Sequence, residues 1–438
     1  MPDSPGSSKG IHRGNWSMLA HADIRNERAR VILRGLAMAA TLVVWAGNAH
    51  ALFDGRLEPF VSYALTRDDN VFRLSAQSDP ASVLGTPSTA DTFSTTAAGL
   101  NFDVPTGRQR FVGGAWVNDN RYDQFTVLDY TEVHGRAAWH WQAGNDFNGR
   151  IGATTDRALA SLANVQEGVQ LGTPNALRTR KAFLDAAYLL TPRWRLRGEV
   201  DRLEQENEVA ALAVNDMTRD GVGFEVSRIS RAGNQIGLAL QAQDASLPNL
   251  QPDGAGLIDN SYRQTRVRLV TDWTLSGRSH LIASAGRVRR SYAQLPERDY
   301  QTGIFHAEYE WKPTGKFTLL ATAQRDIGAP DEINAGVNIG FVLNQGIALR
   351  PMYQWTEKLS VSGIFAQSEW EYLGDPGLAL GTLAPRTDKV RYVALAFNFR
   401  PMRVLRLQLA LRRETRTSTA DFGDYEADVA ILTARLAF

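Results

Sequence analysis

The chain has 438 residues, a formal net charge of +1 and no cysteine. The lack of cysteine excludes a disulfide framework, and near-neutrality excludes nucleic acid or another polyanion held by bulk charge. Such a length ordinarily means two or three soluble domains. Here, however, no stretch after residue 51 repeats at helical period, while short alternating segments recur to the last residue.

Residues 1–51 read as a targeting segment. Arg25, Arg28, Arg30 and Arg34 precede the apolar run from Gly35 to Ala46, and Ala49-His50-Ala51 supplies the small residues of a cleavage site. Cleavage is expected after Ala51, with Met18 as an alternative start. A membrane anchor is the competing reading, against which the apolar run falls short of the ~20 residues a spanning helix needs. Removal would leave residues 52–438 close to neutral.

Strand one follows at once: Leu57, Pro59, Val61, Tyr63 and Leu65 alternate with Glu58, Ser62 and Thr66. A polar stretch from Arg67 to Asp91 then reads as a long loop. Strand two runs to Val104, Pro105–Arg108 turns the chain, and strand three carries Phe111, Gly113, Ala115 and Val117 on one face.

The same unit recurs. Further tight turns fall at Gln142–Asp146, Thr191–Arg193, Ser230–Asn234, Leu275–Arg278, Lys312–Lys316, Thr356–Lys358 and Arg400–Arg403. Longer loops alternate with them at Asp119–Asp129, Ala158–Leu177, Leu203–Met217, Asp244–Asn260, Arg290–Asp299, Asp326–Ile333, Tyr372–Lys389 and Glu414–Asp424. Trp139, Trp141, Trp194, Trp273, Trp311 and Trp355 all lie near tight turns, as an aromatic girdle at one membrane interface would. The last segment alternates apolar Ala430, Leu432, Ala434 and Leu436 with Thr433 and Arg435 and ends on Phe438, which reads as an assembly signal. An open sheet edge is untenable in hydrocarbon, so this segment must pair with strand one. The expected fold is all-β: a transmembrane antiparallel up-and-down β-barrel of about 18 strands, with 16 as the alternative and both termini periplasmic. A repetitive soluble β-protein is the competing reading.

Parity assigns the face opposite the apolar one to the lumen. It places Arg110, Glu132, His134, Arg136 and His140 there, then Arg195, Arg197, Glu199 and Asp201. Glu225, Gln235, Gln241, Arg266, Arg268, His306, Glu308, Arg406 and Arg412 continue the set. Such charges either pair along the wall and stabilise it or form a polar track for a hydrated solute. Trp116, Phe183 and Tyr392 share the inward parity; Trp116 and Tyr392 are candidates for stacking on sugar rings, against the alternative of packing beneath a loop.

Catalytic constellations do not assemble. After cleavage the histidines are His134, His140, His280 and His306, with no His-x-x-x-His spacing, and no serine is singled out beside a base. Asp201, Glu204, Glu206 and Glu208 read as a solvated loop rather than a glycosidase pair. Asp68-Asp69-Asn70 and Asp119-Asn120 with Asp123 lack the glycine and final glutamate of a calcium loop. We therefore expect no enzyme activity, no metal and no cofactor.

Two stretches are more specific, Tyr63–Leu74 and Asn118–Tyr130, with further pieces at Leu190–Gly198, Ser227–Asn234, Asn260–Gln264 and Gln294–Asp299. Over nearly the whole mature chain these resemble the EpsL-type outer-membrane barrels of exopolysaccharide biosynthesis clusters, associated with exosortase and PEP-CTERM systems. The resemblance implies a porin-like barrel in the bacterial outer membrane that takes part in making or exporting a polysaccharide. It implies as partners membrane lipid, the polymer, other components of the synthesis and export system, and the barrel-assembly machinery. It supplies no site residues, and it leaves open a conducting pore, a non-conducting docking barrel and a general diffusion porin.

Overall fold

A computed structural model describes residues 55–160, 174–253, 256–327, 341–373 and 386–438. The expected leader, residues 1–51, lies outside them, as do most of the loop at Ala158–Leu177 and parts of those beginning at Asp326 and Tyr372. Eighteen strands form one sheet. The first six are β1 (Leu57–Asp68), β2 (Asp91–Thr106), β3 (Gln109–Tyr122), β4 (Tyr130–Ala143), β5 (Phe147–Leu159) and β6 (Ala176–Thr191). Then come β7 (Trp194–Asn207), β8 (Met217–Ile229), β9 (Gln235–Ser246), β10 (Tyr262–Ser276), β11 (Ser279–Tyr292) and β12 (Tyr300–Trp311). The last are β13 (Phe317–Ile327), β14 (Phe341–Gln354), β15 (Leu359–Leu373), β16 (Thr387–Phe399), β17 (Leu405–Ser418) and β18 (Tyr425–Ala437).

Each strand pairs antiparallel with its neighbour in sequence, and β1 pairs with β18 from Phe60–Ala437 to Asp68–Val429. The sheet is therefore a closed cylinder in which every strand has two partners, as backbone in hydrocarbon requires. The Phe438 N–H donates to the Pro59 carbonyl at 3.0 Å, so the last residue completes the seam. Both ends of the described chain lie on the tight-turn side. At Gly107 and Gly144 the turns use φ of 61° and 66°, which a side chain disfavours.

The outer wall has three zones. Near the turns Trp139, Trp194, Trp273, Trp311 and Trp355 are exposed outward. Trp141 is half-buried, set edge-on to Phe147 and pressed over Gly149. Above them runs an apolar belt with Val117, Ile151, Val200, Leu238, Leu269, Ile347, Leu395 and Leu409 exposed. A third zone, absent from the sequence reading, is a collar of outward ion pairs at the loop side. Arg121 meets Asp119, Arg180 meets Glu204, Arg202 meets Asp220, and Arg413 meets Glu426 and Asp428. Arg157 binds Glu208 at 2.6 Å, and this hydrogen bond holds the Glu208 carboxyl below its usual range.

The collar explains where the expected loop boundaries fall short. Strands β3, β7 and β17 continue to Tyr122, Asn207 and Ser418, through segments assigned to loops. Charged outward residues break the apolar alternation there while the hydrogen-bond ladder persists. The eight tight turns sit where expected.

Two long loops are the same structure. Tyr122-Asp-Gln-Phe-Thr-Val-Leu-Asp-Tyr130 and Tyr292-Ala-Gln-Leu-Pro-Glu-Arg-Asp-Tyr300 each enclose a 3-10 turn, at Thr126–Leu128 and Pro296–Arg298. In each the final aspartate accepts the N–H of the first tyrosine, Asp129 from Tyr122 at 2.7 Å and Asp299 from Tyr292 at 2.9 Å. Asp216 and Asp424 do the same for Asn207 and Ser418. Inside the mouth, Leu295 packs against inward-facing Tyr262 and Tyr292, while Phe72, Phe125 and Leu128 join the first two loops.

The wall is laced unevenly. The β10–β11 ladder runs from Tyr262–Tyr292 to Ser276–Ser279, whereas the β12–β13 ladder stops at Phe305–Arg325. Beyond it Asp326 turns inward, accepting from Arg266 of β10 at 3.3 Å and from the Ile327 N–H at 2.8 Å. Ile327 is buried with Val288, Ile304 and Phe341.

Candidate functional site on the inner wall

The register puts Arg110, Glu132, His134, Arg136, Arg195, Arg197, Glu199, Glu225, Arg266, Arg268, Glu308 and Arg406 on the inward face. They fall into separate groups. Arg110 is held by Asp103, with Nε–Oδ1 at 2.7 Å. His134 lies between Asp156, 2.8 Å from Nδ1, and Glu132, 3.2 Å from Nε2, while the Tyr130 hydroxyl donates to Glu132 at 2.6 Å. Arg266 reaches Asp326 and Gln243. Arg406 faces Arg435, whose guanidinium sits 3.8 Å from the Phe60 ring centroid and 3.5 Å from Glu58. These arrangements have the form of wall-stabilising pairs.

One group converges on open space. Gly223 of β8, Gly237 and Ala239 of β9 and Ser284 of β11 face inward with little or no side chain, so the wall is hollowed there. The hollow is a recess of about 350 Å³ lined by Arg195, Arg197, Glu199, Glu225, Arg268, Asp272 and His306. Glu199 leans over Gly223, where a Cβ would stand 2.5 Å from its Oε1. Arg197 shares Asp185 with Arg150, at 3.7 and 2.7 Å, and Asp272 accepts from His280 at 2.7 Å. Among the described residues Arg195 and Arg268 have no carboxylate within ion-pair distance, and the Nε of each is buried without a partner.

The recess offers guanidinium donors beside carboxylate acceptors, which suits a solute that carries both hydrogen-bonding roles on every ring, as a saccharide hydroxyl does. Ser284 and His306 stand opposite one another across β11 and β12 at its edge, and among the described residues no hydrogen bond joins a lining hydroxyl to a base. Among the described residues no group of three or more His, Asp or Glu side chains is arranged to hold a metal ion. The stacking candidates do not join it. Trp116 has His134 stacked on its ring at a centroid distance of 4.9 Å and leans over Gly99. Tyr392 lies four strands away with Arg412 at 5.9 Å from its centroid. Phe183 leans over Gly152. The small inward residues that shape the recess carry no charge or ring, so a reading of parity for polar and aromatic groups passes over them.

A closed 18-stranded antiparallel cylinder with an apolar outer wall and a polar inner one is a porin-like transmembrane barrel of the bacterial outer membrane. No family model matches the chain, and no curated protein matches it. Among solved structures it is similar to OccK1 (OpdK) of Pseudomonas aeruginosa, at 12% identity over 87% of this chain and 99% of that one, with a TM-score of 0.47. A BenF-like porin from Pseudomonas fluorescens Pf-5 is 11% identical over 88% and 99% of the two chains, TM-score 0.47. OpdQ of Pseudomonas aeruginosa is 13% identical over 87% and 98%, TM-score 0.46. At such values the likeness carries no weight for cargo.

Proposed function

We propose that this barrel passes or guides a polysaccharide across the outer membrane as part of exopolysaccharide export. The observation that carries the reading is the recess, where Arg195, Arg197, Glu199, Glu225 and Arg268 converge on hollowed wall instead of closing on one another. The polymer as cargo comes from the strand and turn resemblance to EpsL-type barrels.

A general diffusion porin is the second reading. It is favoured by the pairing of many inward charges, such as Arg110–Asp103 and Arg150–Asp185, which leaves a polar wall of little net preference. A docking barrel is the third, favoured by the loops packed inside the mouth.

Single-channel conductance of the refolded protein, with and without polymer from its own strain, separates them. Export through the lumen predicts an ohmic pore that the polymer blocks, and a block weakened at least about threefold by Arg195→Ala with Arg197→Ala in a barrel that still assembles. An open pore indifferent to polymer means general diffusion. No conductance from a folded barrel means docking.

A further inference from the structure

The ion-pair collar is uneven in charge. At the loop-side ends of β6–β8 the outward arginines are answered: Arg178 by Glu206, Arg180 by Glu204 and Arg202 by Asp220. On β10–β13 the balance fails. Arg263, Arg287, Arg289 and Arg325 face outward, and among the described residues Asp244 is the only carboxylate paired with any of them, at 2.7 Å from Arg263. Arg325 donates to Gln345, a neutral partner. Arg287 and Arg289 are exposed and stand two residues apart on one face of β11.

Depth decides what can answer them. Arg289 lies opposite Thr265, eight residues along β10 from the girdle residue Trp273. At about 3.4 Å per residue that is roughly 27 Å of strand, or about 21 Å along the barrel axis for a tilt near 40°. The apolar band of such barrels is about 25 Å tall, so Arg289 stands at its upper edge, with Arg263 above. Arg287 lies opposite Val267, which is 43% exposed, within reach of the same level by extending its stem. Unanswered guanidinium groups in that plane meet lipid headgroups, and a phosphate is the anion their forked donors fit best.

We infer that the outer wall of β10–β13 binds the phosphate groups of a phosphorylated glycolipid in the outer leaflet. The inference is independent of what the lumen carries.

The test is binding of a fluorescent bis-phosphorylated lipid A-type glycolipid to the refolded protein in detergent, with folding checked by heat-modifiable gel mobility. Affinity should fall at least about tenfold in Arg287→Gln/Arg289→Gln and stay unchanged in Arg178→Gln/Arg180→Gln, which alters the neutral sector. Wild-type protein should also bind the dephosphorylated glycolipid at least about tenfold more weakly, a comparison that does not depend on any variant folding. Equal affinity for both glycolipids, an unchanged double variant, or displacement by an equal concentration of inorganic phosphate would each overturn the assignment.

Discussion

Single positions on the inner wall show how much a register depends on side-chain size. Phe60, Gly99, Trp116 and His134 form one row across β1–β4. A Cβ on Gly99 would lie 2.4 Å from that of Trp116 and 2.9 Å from the Phe60 ring, so only glycine lets the two aromatics close over it. Asp388 is the opposite case, a charge with no exposure. It accepts from Arg386 at 2.6 Å, Ser418 at 2.6 Å and Tyr372 at 3.0 Å, with Arg416 3.8 Å away. Removing the carboxylate takes from the largely buried Arg386 guanidinium the acceptor it binds at 2.6 Å, and breaking a buried pair in this way costs about 3–5 kcal/mol. Asp388→Ala should therefore lower the urea midpoint of the vesicle-refolded barrel by the equivalent of about 3 kcal/mol, and Asp388→Asn by less. An unchanged midpoint for Asp388→Ala would show that water, not the carboxylate, serves Arg386.

For the strands and their connections, the sequence was legible where chemistry is local. Seven of the eight short reversals carry Gly or Pro, Thr356–Lys358 being the exception, and alternation marks the strand cores. Inward parity is equally local, which is why the register puts Arg195 and Arg268 on the lumen side. What alternation misses is tertiary: the collar charges of β7 and β17 look like loop because their partners sit on neighbouring strands. The paired loops Tyr122–Tyr130 and Tyr292–Tyr300 are a further case. Their common pattern of Tyr, Gln, apolar, Asp and Tyr spans dissimilar residues between, and the role of the aspartate lies in a hydrogen bond to a backbone N–H seven residues back. Asp299→Ala leaves that N–H unmatched, a loss of about 1 kcal/mol. The expected result is faster amide exchange at Tyr292 and in residues 293–298, with the barrel midpoint nearly unchanged; protection equal to wild type would remove Asp299 from this role.

At the scale of the whole molecule, closure is the property from which the rest follows. A cylinder has no edge to satisfy, so its outer face is free to sort into girdle, belt and collar, and its inner face to carry charge. Eighteen strands leave a lumen too wide for opposing side chains to fill. The recess and the inward-packed loops therefore compete to define what passes, which is the question the conductance measurement decides.

The uneven lacing has a mechanical meaning. A tube under sideways strain tears along the row with fewest stitches, and in this one that row is not where the two chain ends meet. Phe60–Ala437 to Asp68–Val429 is stitched along its length, while β12 and β13 part company above Phe305 and Arg325. The upper amides facing each other across β12 and β13 should exchange with deuterium before any along β1 and β18. The reverse order would place the weakness at the junction of the termini. If the order holds, the barrel breathes from its loop-side rim, at a spot three strands from Arg266, which reaches across the inner wall to Asp326.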